Sequence, residues 1–277
     1  MIAKIWGCRG SLPSPGPENI VYGGNTSCIE VSDGETFLIL DAGSGIQRLG
    51  RFMGPEVKVI HILLTHLHID HTMGLGFFKP LYHPDVEVHL WGPSASNDSL
   101  LSRIRKYFSA PLFPVRLGDL PNHPVIHKLD ESEFEIGDFK IKTDYICHPG
   151  PTLGYRIQHG DHVIAYMPDH ELRLGSTDFP NNPDWTSGFE IAKNADVLFH
   201  DGAYSFAEYE KKVGWGHSAV RDTLQFAKLS QVKKLSIFHH EPTNTDEQLD
   251  EILRRNLEGK SFDFEIEMCK EGLVYEF

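Results

Sequence analysis

Residues 63–74 read LLTHLHIDHTMG and place His66, His68, Asp70 and His71 within six positions, directly behind the apolar run VKVIHILL. Imidazole and carboxylate are good donors for first-row divalent metals. Left buried and unpaired, each such group would cost about 2–7 kcal/mol, so a shared ion is the simplest reason to crowd four of them together. Three later segments end in the same way. DYIC runs into His148, VIAYMP into Asp169, and LSIF into His239-His240. Each is an apolar strand whose end carries a metal donor, and a common sheet edge would bring these ends together on rigid supports. His61, His83, His89, His159 and His162 lack this pattern and are assigned to ordinary hydrogen-bonded positions.

The elements that must hold these groups alternate between short strands and helices. AKIWG, the two runs flanking Asp33-Gly34, VKVIHILLT, VEVHLWG, FEIGDFKIKTDYICH, LGYRIQHGDHVIAYMPD, ADVLFHDG and KKLSIFHHE have strand character. SGIQRLGRF, SASNDSLLSRIRKYFS, SAVRDTLQFAKLS and TDEQLDEILRRNLEG have helical spacing, several behind Ser or Thr caps. No repeat, linker or low-complexity stretch interrupts them, so residues 1–277 are expected to form a single domain with sheets inside and helices outside.

Composition narrows the partners. Lys and Arg total 26 against 39 Asp and Glu, a formal charge of −13, which repels phosphate backbones and anionic membranes. A small anion at a local cationic site remains compatible with that charge. Cys8, Cys28, Cys147 and Cys269 include no CxxC pair, which argues against a thiolate zinc finger. MIAKIWGCRG reads directly as strand and loop rather than as a leader, and no apolar run is long enough to span a bilayer. The expectation is a cytoplasmic protein with reduced cysteines.

The HxHxDH motif, followed in order by His148, Asp169 and His239 or His240, resembles the metallo-β-lactamase superfamily, and the likeness spans essentially the whole chain. The resemblance implies an α/β fold, a four-layer αββα sandwich, with two divalent ions (Zn, Fe or Mn) as cofactors. Carried over residue by residue, His66, His68 and His148 would hold one ion. Asp70, His71 and His239 (or His240) would hold the other, and Asp169 would bridge them. Asp41, which ends the strand FLIL, would support a ligand histidine from behind.

Two more segments, LFHDGAY with Asp201 and GWGHS with His217, resemble the tRNase Z and phosphodiesterase branch. There an acidic residue orients a histidine that protonates a leaving alkoxide, a role a metal pair cannot fill. The implied catalytic set is Asp70, Asp201 and His217, with Asp70 orienting or deprotonating the attacking water. Asp169 follows His148 by only 21 positions, room for a hairpin and not for the long tRNA-gripping arm of a tRNase Z. The favoured substrate is therefore a small phosphodiester such as a cyclic nucleotide, with no long nucleic acid and no membrane as partner. Arg9 in the early loop, and Arg105 and Phe108 in the 100–118 excursion, are candidate substrate contacts: cations for phosphate and an aromatic for a base. The same excursion, with FFKPLYHP, offers apolar surface for a homodimer. The alternatives are a diiron oxygen-binding or redox sensor of this fold, working with a signalling partner, and a lactone or thioester hydrolase that would not need His217.

Overall fold

The computed structural model describes residues 1–95, 98–174 and 176–277. In chain order the elements are β1 (Ile2–Gly7), β2 (Cys28–Ser32), β3 (Phe37–Leu40), α1 (Gly45–Phe52), β4 (Val59–Leu63), α2 (Ile69–Thr72), β5 (Glu87–Pro93), α3 (Leu100–Tyr107) and β6 (Val125–Leu129). The second half supplies β7 (Ser132–Ile136), β8 (Phe139–Tyr145), β9 (Leu153–His159), β10 (His162–Met167), α4 (Phe189–Ala192), β11 (Val197–Asp201), α5 (Phe206–Tyr209), α6 (Val220–Leu229), β12 (Lys234–Phe238), α7 (Asp246–Leu257), β13 (Glu265–Met268) and β14 (Val274–Glu276). They form two seven-stranded sheets, in the orders β14-β1-β2-β3-β4-β5-β6 and β13-β12-β11-β10-β9-β8-β7.

Alternation along the strands explains the layering. In β10, Ile164 and Tyr166 face the other sheet, while Val163, Ala165 and Met167 face the helices. The apolar layer between the sheets includes Ile5, Leu38, Phe139, Tyr155, Phe199 and Phe238. Sheet one packs its outer face on α1 and α3 through Ile46, Leu49, Leu100 and Ile104. Sheet two does so on α4, α6 and α7 through Ile191, Leu224, Phe226 and Leu249. The result is the αββα sandwich. β3 to β6 pair in parallel, and strands buried on both faces read as continuous apolar runs, which accounts for VIHILL. Among the described residues no helix is long and apolar enough to cross a membrane.

Strand direction, more than strand order, places the donors. β10, β11 and β12 run parallel, and β8 points the same way because two antiparallel pairings separate it from β10. In sheet one β3 and β4 run parallel. The segments after β3, β4, β8, β10, β11 and β12 meet at one edge of the sandwich, and every candidate ligand lies there.

Candidate metal centre

Six connections build the site, each leaving the C-terminal end of a strand. The turn after β4 carries His66 and His68 and passes into the single-turn helix α2 with Asp70 and His71. The segment after β8 brings His148, and the residue two beyond β10 is Asp169. β12 delivers His239 immediately after Phe238. His239 has φ +58, a left-handed conformation that costs a non-glycine residue about 1–3 kcal/mol and is held only where the surroundings demand it. Asp41, directly after β3, has the same φ.

The donor atoms of His66, His68, His148 and Asp169 lie within 4.8 Å of one another, and so do those of Asp70, His71, Asp169 and His239. Asp169 belongs to both groups. Its Oδ1 is 2.9 Å from His71 Nε2, and its Oδ2 is 3.3, 3.7 and 3.8 Å from Nε2 of His239, His148 and His66. His66 Nε2, His71 Nε2 and Asp169 Oδ1 are all buried without a hydrogen-bond partner. His71 and Asp169 approach to 2.9 Å and yet are not aligned as donor and acceptor. Buried polar atoms are rarely left in that state, and atoms converging on a common point between them are what a cation requires. The residues present therefore fit a pair of divalent ions, with Asp169 shared between them.

The outer contacts prepare the ligands. Asp41, fully buried, accepts from Thr65 N at 2.8 Å and from Tyr166 OH at 2.9 Å, and its Oδ2 is 2.7 Å from His71 Nδ1. That contact puts the proton on Nδ1 and leaves Nε2 to face the centre. His148 Nδ1 donates to the Gly216 carbonyl at 2.8 Å with the same effect. Ser11 N donates to Asp70 Oδ2 at 2.8 Å, so the early loop reaches the site through its backbone. Burial holds the His66 imidazole well below its ordinary value, aided by His71, and burial brings His148 to about 4, so both are neutral ligands at pH 7. Burial pulls His71 the same way, but Asp169, Asp70 and Asp41 outweigh it and raise it. Burial disfavours the Asp169 carboxylate, yet His239, His71 and His66 hold it well below the usual range.

Beside the second group lies the Asp201–His217 pair. His217 Nδ1 is 2.7 Å from Asp201 Oδ2, and its ring stacks on that of His239 with centroids 4.6 Å apart. Asp201 also accepts from the backbone of His170, Ala203 and Ser218, at 3.2, 3.0 and 3.2 Å, so it is locked as well as buried.

Four sequence-based assignments change. His240 is not the alternative ligand: its Nε2 donates to the Cys269 carbonyl at 2.7 Å, turned away from the centre by the left-handed turn at His239, just past the end of β12. Arg9 is no substrate contact. It is fully buried, donates to the Gly23 and Asn244 carbonyls at 2.8 and 2.7 Å and to Asn19 Oδ1 at 3.0 Å, and pairs with Asp246 at 3.6 Å. Phe108 is buried in the layer under sheet one with Phe113 and Ile104, so it offers no face to a ligand. Arg105 is exposed on α3, whereas Arg103 and Lys106 are the α3 cations bordering a hollow of about 200 Å³ against Leu67 and Thr72 of the metal loop. The sequence put Arg105 and Phe108 near the site; the rotation of α3 and the packing behind it decide which side chains of this segment face it. Sequence reasoning also missed Glu171, two positions after Asp169, a buried carboxylate beneath the loop that carries His217. Its signal was the polar run DHE at the end of an apolar strand.

The family profile described as the β-lactamase superfamily domain matches residues 36–240. A ribonuclease Z of Haloarcula marismortui is 24% identical over 292 aligned positions that cover 90% of each chain. A metallo-β-lactamase fold protein of Bacillus subtilis superimposes with a TM-score of 0.71 at 18% identity, covering 99% of this chain and 98% of that one. A structure described as a new diphosphatase from the PhnP family gives 0.67 at 19% identity, covering 100% and 96%. With its HxHxDH loop, a shared Asp169 and a profile match over most of its length, the chain belongs to the metallo-β-lactamase superfamily.

Proposed function

We propose that the protein is a metal-dependent phosphodiesterase acting on a small phosphodiester such as a cyclic nucleotide. The observation that carries the reading is the Asp201–His217 pair, 2.7 Å apart and stacked against the ligand His239. Two divalent ions held by His66, His68, His148, Asp169, Asp70, His71 and His239 would stabilise charge on phosphoryl oxygens and make a water acidic enough to attack near neutral pH. The protein's own residues do the rest. Asp70, fixed by Ser11 N and 3.1 Å from His239 Nε2, orients the attacking water. His217 holds a proton at neutral pH: burial alone would remove it, but Asp201, Asp169 and Asp70 raise its pKa to about 9. That proton goes to the departing alkoxide, the step an ester of a poor leaving group needs most.

Two features support a small substrate. β9 and β10 form a plain hairpin between His148 and Asp169, with a single turn at Gly160, and the charge is −13. Neither favours a long RNA. Trp215, exposed and two residues from His217, offers an indole face for a base.

The test is turnover of cyclic and linear phosphodiesters by metal-loaded Asp201→Asn and His217→Ala. Both should fall roughly 10²–10⁴-fold with metal content unchanged. Unchanged turnover in both variants removes the proposed acid and favours a lactone or thioester substrate. Iron in place of zinc or manganese, with a visible band that develops in air, would instead indicate the diiron oxygen-binding reading.

A further inference from the structure

Glu171 follows the shared ligand Asp169 by two residues and is 2% exposed. It belongs to neither group of metal donors. Instead it serves one loop. Its Oε1 accepts from Gly214 N at 2.8 Å and from Tyr209 OH at 3.0 Å, and its Oε2 accepts from Gly216 N at 2.8 Å. Its own N–H donates to the Cys147 carbonyl at 2.8 Å, which ties it to the residue before His148. A buried carboxylate needs several donors to be tolerated, and here two of the three are backbone amides of the segment Gly214–His217.

That segment cannot hold itself. Gly214 and Gly216 have φ of +87 and +90, conformations other residues rarely adopt. A Cβ on Gly216 would come within 2.3 Å of His148 Nδ1. The Gly216 peptide is gripped at both ends, its N–H by Glu171 and its C=O by His148 Nδ1 at 2.8 Å. The next residue is His217.

We infer that Glu171 is the positioning residue for the acid, anchoring the Gly214–His217 loop so that the His217 imidazole sits where a leaving oxygen departs. Glu171 thereby makes the enzyme selective for esters of poor leaving groups, which depend on a delivered proton. The inference rests on the reading of His217 as the acid.

A leaving-group comparison separates the two. Metal-loaded wild type, Glu171→Gln, Tyr209→Phe and His217→Ala are assayed on a cyclic nucleotide, whose leaving group is a ribose alkoxide, and on bis(p-nitrophenyl) phosphate, whose phenolate leaves without a proton. Gln presents an NH₂ group where an amide N–H now donates. Glu171→Gln should therefore lower the ratio of cyclic nucleotide to nitrophenyl turnover by about 10-fold or more, a fraction of the full acid effect. Tyr209→Phe, which removes one bond of three, should shift it less and in the same direction. It carries the test if Glu171→Gln does not fold. Hydrogen exchange at Gly214 and Gly216 should quicken in both variants. A selective loss in His217→Ala, with an unchanged ratio and unchanged exchange in the Glu171 and Tyr209 variants, overturns the role of Glu171. An unchanged ratio in His217→Ala overturns the acid itself, and the Glu171 inference falls with it.

Discussion

His217 shows how one side chain's environment sets its chemistry. Burial would make the imidazole neutral; Asp201 at 2.7 Å, with Asp169 and Asp70 beyond it, reverses the outcome and brings its pKa to about 9. Because the folded value exceeds the ordinary value of 6.5, the pair's contribution to stability is complete below about pH 6.5 and is lost as pH rises through about 9. In the proposed mechanism the same proton is the one delivered to the leaving group. Turnover should decline on the alkaline side as pH approaches about 9, and Asp201→Asn should move that limb to lower pH; a pH–rate profile with a leaving group of high pKa reads both. Arg9 is the opposite case, a charge whose work is structural. Its guanidinium joins the early loop to Asn244 and Asp246 near the start of α7. Arg9→Met should cost about 3–5 kcal/mol in chemical denaturation, because it leaves the Gly23 and Asn244 carbonyls without their donor and removes the charge that faces Asp246. KM should stay unchanged in Arg9→Met at temperatures where it is folded, since the side chain faces no ligand.

At the level of the elements, the site depends on loops packed more tightly than their composition suggests. Gly10 lies against His239: a Cβ there would fall 2.2 Å from the ring's Cε1 and Nδ1. Gly10→Ala should displace His239 and lower bound metal from about two ions per chain towards one, the arrangement of a two-metal site that has lost one partner. Elemental analysis with circular dichroism checks this, since the fold should remain. Gly43 is similar, with a Cβ position 2.4 Å from the Asp70 carbonyl. These glycines are required by close approach to the metal ligands, which no local pattern announces. The strands were plainer. VIHILL, VIAYM, VLF and LSIF are short apolar runs with polar ends, and all proved to be strands ending at the site. The helix expected from SASNDSLLSRIRKYFS begins at Leu100 behind the Ser99 cap, whose side chain accepts from Ser102 N at 3.2 Å. α2 was hidden because a four-residue helix made of metal ligands has no apolar period.

Across the whole molecule, two sheets meet at an edge that gathers five imidazoles and two carboxylates in mostly buried positions. Without ions this edge is costly to the fold, since buried polar groups without partners crowd there. Chelation should therefore lower Tm reversibly, by an amount that grows with metal concentration; at 1,000 times Kd a bound ion contributes about 4 kcal/mol. Calorimetry with and without added Zn²⁺ or Mn²⁺ measures it, and an unchanged Tm would count against ion binding at this edge. The −13 charge acts on the same scale. It opposes long polyanions everywhere except where cations are local, as with Arg103 beside the metal loop, where Lys106 is paired with Asp98.

The inventory was legible in the linear chain: the HxHxDH spacing, the later donors at strand ends, the Asp201 and His217 segments, and the sandwich of sheets and helices. Those features are local or additive, so a reading along the chain reaches them. Which donors converge is a property of the folded molecule alone. His239 and His240 are chemically alike and adjacent, and the left-handed turn after β12 sends one into the centre and the other to Cys269. Arg9 and Arg105 are both cations near the motifs, yet packing buries one and exposes the other. Glu171 finds its partners 38 to 45 positions away. Contacts made across such separations depend on how whole strands and loops are oriented, and residue type carries no record of that orientation.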